Sequence, residues 1–355
     1  MIEVDAAASR FRDLLRAELD AAGLILSRSL YEEGREEVSL AGFAERQRLA
    51  AAIGPRTWQR AMDSLHVPYP DESCARVLGF GRQLTSFLVA PMRPARQLQE
   101  PLGRLGALAN LIVSLYDHVI DDGIGEAGLL PQWLLARGAL APARWALAAL
   151  AALSPPAQRV VLKLVGRYFA ELCGLPHAAR HDRRARLLRR TILVMYQAEN
   201  QLAATHRHRG VALHLRRKGA LPFVVMGGTA WLAEPAPSRQ ELLRHLRWLY
   251  RCGEFFGWVD DAVDLEADAA SGRPNRLQQA LAPLAGRLDA ERDLARRLAG
   301  IGRSLVLQYR PGAERSDGTM QATAFSICLM SWLGLDSSAP AGRRQAGLDL
   351  AGGGG

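Results

Sequence analysis

The residues whose types and spacing could do chemistry are aspartates. In GWVDDAVDLEADAASGRPN, Gly257 to Asn275, five acidic residues fall within nine positions: Asp260, Asp261, Asp264, Glu266 and Asp268. Asp260, Asp264 and Asp268 are four apart, which sets like charges on one helix face, where they repel. No base follows until Arg273. A second cluster, LIVSLYDHVIDDG, has Asp117 and Asp121 four apart with Asp122 adjacent, behind the apolar run LGALANLIVSLY. Both clusters end helices that read as buried, where the helix dipole opposes negative charge. The plain alternative is charged helix ends facing solvent. The sharper reading is that a positive partner arrives as a ligand. Mg2+ is a hard cation that takes one or two carboxylates, keeps waters and completes its octahedron with phosphate oxygens. Asp117, Asp121, Asp122, Asp260, Asp261, Asp264 and Asp268 are therefore candidate Mg2+ ligands. Between the clusters stands LRRKGALPF, whose Arg216, Arg217 and Lys218 could grip a diphosphate, Arg by bidentate contacts and Lys as a point charge.

The elements that must position these groups are helices. Apolar residues recur with helical period almost everywhere, and strand-like alternation is nearly missing. Residues 8–30 read as one amphipathic helix with Phe11, Leu14, Leu15, Leu19 and Leu24 on one side. Breakers at 54–58, 66–73, 90–96, 154–158 and 233–238 cut the chain into helix-length pieces. The stretch YRPGAERSDG, with Tyr309 and Arg310, reads as a loop. With 355 residues, 49% of them hydrophobic, a sizeable core is within reach. Residues 1–335 are expected to form a single all-α domain, followed by a disordered glycine-ended tail over 336–355.

Net charge is +9, carried almost wholly by arginine, with Lys163 and Lys218 the only lysines. The basic excess is spread along the chain and no zinc-finger or RNA-recognition signature accompanies it, so no nucleic-acid partner is expected. Cys74, Cys173, Cys252 and Cys328 form no CxxC and read as buried free thiols. The charged N-terminus lacks a signal core, and no apolar run reaches membrane-spanning length. The expectation is a cytoplasmic protein without stable membrane insertion.

Together the motifs resemble the class I isoprenoid synthase superfamily, over roughly residues 85–335. DHVID, Asp117 to Asp121, is similar to the first DDxxD motif, with His118 at the second aspartate. KGALPF, Lys218 to Phe223, is similar to the KTxxLF element, and DDAVD, Asp260 to Asp264, to the second DDxxD. The longer frame through Asp264, Asp268, Gly272 and Arg273 is similar to the DxxxDxxxGR of squalene and phytoene synthases. Asp260, Asp264, Glu266, Asp268, Gly272 and Asn275 match the acidic frame of bacterial large-terpene cyclases. The resemblance implies a class I terpenoid synthase helical bundle, with the two aspartate motifs on facing helices around a central cavity.

Departures narrow the expected activity. The RRG-type element and the GKRxRP signature of chain elongases are missing; EPLGRLG offers only Arg104. Those groups bind a second diphosphate, so condensation loses support while ionisation of one allylic isoprenyl diphosphate keeps its parts. The resemblance thus implies a Mg2+-dependent terpene synthase acting on an isoprenyl diphosphate. Asp117, Asp121, Asp260 and Asp264 are the catalytic metal ligands in that reading, and Arg216, Arg217, Lys218 and Arg273 bind diphosphate. Tyr116, Tyr196, Phe223 and Phe256 are candidate pocket liners beside the carbocation. A trans-prenyltransferase, a squalene or phytoene type of head-to-head synthase, and a catalytically dead helical binding protein are the alternatives. A homodimer is a candidate assembly.

Overall fold

Leucine- and alanine-rich runs with apolar residues three and four apart favour helices that bury one face, and glycine or proline marks several of the helix ends. In a computed structural model, the residues described are 2–63, 71–121, 154, 156–178, 182–204, 211–284, 287–308 and 315–334. They form α-helices and short 3-10 turns, and no strand occurs among them. The all-α expectation holds.

In chain order the helices are α1 (Ile2–Ala21), α2 (Arg28–Ile53), α3 (Pro55–Met62), α4 (Asp71–Val89), α5 (Arg96–Asp121), α6 (Pro156–Leu172) and α7 (Arg183–Ala204). There follow α8 (Val211–Gly228), α9 (Arg239–Val263), α10 (Leu265–Ser271), α11 (Arg276–Leu281), α12 (Leu288–Leu307) and α13 (Arg315–Trp332). Expected breakers at 54–58 and 90–96 interrupt the helices, while that at 66–73 lies mostly outside the described residues. Pro55 opens α3 after Gly54 at φ 100°, and Arg93 takes a left-handed turn at φ 47° after the 3-10 turn Ala90–Met92.

Two boundaries differ from the expectation. The first helix stops at Ala21, because Gly23 adopts φ 72°, which a residue without Cβ reaches at no steric cost. Leu24 is still buried, as part of the turn. The stretch read as a loop over 309–318 is helical from Arg315, while Tyr309 and Arg310 lie outside the described residues.

Contacts divide the chain into two compact units, Met1–Arg35 with Thr205–Ala220 and Tyr250–Gly355, and Glu36–Ala204 with Leu221–Leu249. In the first, α1 packs on α12 and α10. Its core is aromatic: Phe255 stacks on Phe325 at 5.7 Å, and Phe256 meets Phe325 and Trp332 edge-on or tilted, each at 5.4 Å. In the second unit, α4 lies along α5, and α5 packs on α6. Close crossing there requires small residues: a Cβ on Gly106 of α5 would collide with the buried Thr85 of α4. Three of the cysteines are buried as expected, but Cys173 is exposed just past the end of α6.

Candidate functional site

The second acidic cluster lies in the first unit. Asp260 and Asp261 occupy the last turn of α9, and Asp264 caps α10. The helix axis breaks at Asp264, whose backbone has φ −88° and ψ 3°. Four-residue spacing nevertheless survives the break. The Asp264 N–H donates to the Asp260 carbonyl at 2.9 Å, and the Asp268 N–H to the Asp264 carbonyl at 2.8 Å. The three aspartates therefore stay on one side of the chain, as their spacing implies.

Their electrostatics are strained. Burial raises the Asp264 carboxyl well above the usual carboxylate range, and the like charges of Asp260, Asp268 and Asp261 raise it further. Lys218 acts against them, pulling it down. Burial likewise pushes Asp261 up to about 6, against the downward pull of Arg276. Asp264 makes no side-chain capping hydrogen bond to α10.

Lys218 reaches this cluster because α8 and α9 cross almost backbone to backbone. A Cβ on Gly253 would collide with Ala220, and one on Gly219 would lie 3.2 Å from the Gly257 Cα. The small residues Gly219, Ala220, Gly253 and Gly257 thus bring the end of α9 beside the basic triplet of α8. Of that triplet, Arg216 is committed to Glu254 and lies over the Tyr250 ring at 5.4 Å, with 55% of its side chain exposed. Arg217 and Lys218 are half-buried. Arg273 is exposed, and its backbone N–H caps Asp268 at 2.9 Å.

Three residues that hold the cluster escaped the list of candidate ligands. Trp332 Nε1 donates to Asp260 Oδ1 at 2.9 Å. Asn275 is 1% exposed; its Nδ2 donates to the Asp261 carbonyl at 2.8 Å and to Asp268 Oδ2 at 2.9 Å, and its Oδ1 caps α11. Arg276 Nε donates to Asp261 Oδ2 at 2.6 Å. The signal for Asn275 was its place in the acidic frame. Arg276 carried only its position next to Asn275.

The first acidic cluster lies in the second unit. Asp117 and Asp121 belong to the last turn of α5, while Asp122 lies outside the described residues. Directly before Asp117, Tyr116 is buried and meets Tyr196 of α7 edge-on at 4.9 Å. Tyr196 lines an apolar cavity of ≈ 20 Å³ together with Ile112, Tyr168, Phe169, Met195 and Val225. That volume is far below the roughly 300–1,000 Å³ of small-molecule pockets. The buried Tyr168 hydroxyl has no hydrogen-bond partner among the described residues, and burial raises its phenol. Phe223 is buried in the same unit, and Phe256 is enclosed in the aromatic core of the other.

Among the described residues, no group of three or more His, Cys, Asp or Glu side chains is arranged to hold a metal ion. The donor set at the second cluster still fits a hard cation, because Mg2+ asks for only one or two carboxylates and supplies the rest of its shell from water and phosphate. The like charges of Asp260, Asp268 and Asp261 around Asp264 are what such a guest would offset. No helix among the described residues is long and apolar enough to cross a membrane. No sequence model of a known protein family matches the chain, and no curated protein matches it either.

Proposed function

We propose that the chain is a Mg2+-dependent class I terpene synthase that ionises an allylic isoprenyl diphosphate and cyclises or rearranges the resulting carbocation. The observation that carries this reading is the half-buried carboxylate of Asp264, which has Asp260, Asp268 and Asp261 as like-charged neighbours and Lys218 opposing them. Like charges gathered at a partly desolvated position raise the cost of ionising them, and a divalent cation would lower it.

In this reading Asp260 and Asp264, and by resemblance Asp117 and Asp121, hold Mg2+. Bound there, Mg2+ supplies charge neutralisation for a diphosphate leaving group. Lys218 and Arg217 bind the diphosphate directly, and their contacts strengthen as negative charge develops on the bridging oxygen. Trp332 and Asn275 fix the carboxylates before substrate arrives, so little reorganisation is left for the reacting complex. No protein nucleophile takes part. By resemblance, Tyr116 and Tyr196 would be pocket liners that offer aromatic faces to a cation.

The test is incubation of the purified protein with Mg2+ and, separately, geranyl, farnesyl, geranylgeranyl and longer diphosphates. Hydrocarbon or alcohol products from one diphosphate alone are expected, abolished by EDTA and restored by Mg2+. Products that appear only when isopentenyl diphosphate is added would replace this reading with a prenyltransferase. Turnover that survives chelation would rule out the metal-dependent mechanism.

A further inference from the structure

Helix α12 buries one side within its own unit. There it packs on α1, with Ala295, Leu298 and Leu305 buried, and a Cβ on Gly302 would collide with the Phe255 ring at 2.8 Å. The opposite side has a different composition. Arg292, Arg296, Gly300, Arg303 and Leu307 follow each other at steps of three or four residues, which sets them in one row along the helix. Arg297 and Ile301 form a second row beside it, and all seven residues are exposed. Ile301 is 37% exposed and Leu307 44%. A Cβ on Gly300 would meet nothing within 4 Å, so no described part of the chain covers the middle of this surface.

The charge on this side is lopsided. From Leu294 to Gln308 the sequence holds three arginines and no acid. Arg296 approaches Asp293 at 3.2 Å and Glu18 at 3.5 Å, but 61% of its side chain stays exposed, so water screens both pairs. An arginine row alone is ordinary solvated helix surface. The aliphatic side chains interleaved with it select among anionic partners. Nucleic-acid phosphates reward the guanidinium groups and gain nothing from Ile301 or Leu307. A bilayer surface rewards both, because guanidinium groups bind lipid phosphates while aliphatic side chains enter the boundary between headgroups and acyl chains.

We propose that the outer side of α12 is a peripheral docking surface for an anionic lipid bilayer, with Arg292, Arg297 and Arg303 on lipid phosphates and Ile301 and Leu307 in the headgroup boundary. No helix among the described residues is long and apolar enough to span a membrane, so the association is with the surface and reversible. The proposal stands apart from the metal and diphosphate reading, since none of its residues belongs to that site.

The experiment sediments the full chain with vesicles of phosphatidylglycerol and phosphatidylcholine in equal parts. Pure phosphatidylcholine vesicles and duplex DNA are the comparison arms, and circular dichroism checks each variant for helix content. Wild type is expected to bind the anionic vesicles at low salt and to leave them at about 1 M salt, where the Debye length is about 3 Å. Arg297→Glu/Arg303→Glu is expected to weaken that binding by about tenfold or more, the scale for reversing two charges at an anionic surface. Arg183→Glu/Arg186→Glu makes the same change in net charge at two exposed arginines of α7 and is expected to bind within about threefold of wild type. Ile301→Ser/Leu307→Ser keeps every charge and is expected to lose about threefold or more, by removing apolar area from the contact. No binding to anionic vesicles at low salt overturns the proposal. An equal loss in the α7 variant overturns it too, because net charge and not this side of α12 then drives the association. Unchanged binding in Ile301→Ser/Leu307→Ser, or tighter binding of wild type to DNA than to vesicles, replaces the bilayer with a partner that reads charge alone.

Discussion

His245 in one compact unit and Asp264 in the other are both ionisable groups drawn out of water near helix α9, and they are held in opposite ways. His245 is fully buried and fully partnered. Trp231 Nε1 donates to its Nδ1 at 3.0 Å, which leaves Nε2 to donate to the Leu88 carbonyl at 2.8 Å. The neutral imidazole thus has one tautomer that satisfies both nitrogens, and it stacks on Trp248 with rings 5.7 Å apart. Burial holds its pKa down at about 4, so it stays neutral. Asp264 has Asp260, Asp268 and Asp261 as like-charged neighbours, with Lys218 opposing them. The contrast separates two kinds of buried polarity. A closed network of neutral donors and acceptors stabilises a fold, whereas a gathering of like charges is a candidate place for a charge supplied by a ligand.

The largest expected effect breaks the open side of that comparison. Asp264→Asn should lower turnover of the isoprenyl diphosphate by about 10³-fold, near 4 kcal/mol of transition-state stabilisation. Because it also relieves desolvated like charges, the same substitution should raise the melting temperature of metal-free protein. Thermal melts in EDTA beside a turnover assay check both halves. A variant that loses activity and stability together would mean that Asp264 belongs to a satisfied structural network like that of His245.

Lys218→Ala comes next. It removes the cation that opposes the cluster and, in the proposed mechanism, a contact to the leaving group. Turnover at saturating diphosphate should fall about 10²–10³-fold, or roughly 2–4 kcal/mol. Lys218→Arg should be only partly tolerated, since a planar fork does not replace a compact ammonium at a close helix crossing. A change of less than about threefold would class Lys218 with exposed charges of little coupling.

The closed side breaks differently. His245→Ala strands the Trp231 N–H and the Leu88 carbonyl and opens a cavity, so unfolding free energy should drop by about 2–4 kcal/mol with metal affinity untouched. The native pKa near 4 lies below the unfolded value near 6.5, so the unfolded chain binds the extra proton between them. His245 therefore contributes its full stabilisation above about pH 6.5, and that contribution is lost as pH falls toward 4. Denaturant titrations at pH 7 and pH 5 should show the loss in wild type and a smaller one in His245→Gln.

Helical architecture was legible because periodicity survives in nearly every segment, and the breaker positions were legible because proline and glycine act through local sterics. The spacing of Asp260, Asp264 and Asp268 was legible for the same reason: four-residue hydrogen bonding is a local property that persists through the break at Asp264. Asp261 looked equivalent to its neighbours because sequence spacing says nothing about which partner a carboxylate finds in three dimensions. Its partner, Arg276, lies 15 residues on and reaches it through a slot set by glycines on two different helices. Arg216 looked equivalent to Lys218 until its neighbour on α9 was known to be Glu254. The end of the first helix was missed because one glycine in an Ala- and Leu-rich stretch is a weak stop signal until its left-handed conformation is seen. Trp332 was legible only as an aromatic, since a hydrogen bond across 72 residues leaves no mark in the pattern.

That bond makes the smallest of the predictions and the finest test of the comparison. Trp332→Phe keeps an aromatic ring beside Phe256 and Phe325 but removes the Nε1 donor to Asp260. In a closed network such a deletion strands a buried acceptor and lowers stability. Here the acceptor is a half-buried carboxylate with access to water, so the fold should lose little and melt within a few degrees of wild type. Mg2+ or Mn2+ affinity should weaken by a few-fold, about 1 kcal/mol, because Asp260 is no longer held in the orientation that receives the ion. Trp332→Leu adds the loss of ring packing and should cost stability as well, which separates orientation from packing. If Trp332→Phe lowers the melting point as much as Trp332→Leu while leaving metal affinity unchanged, the indole is only a piece of the aromatic core, and Asp260 is oriented by its helix alone.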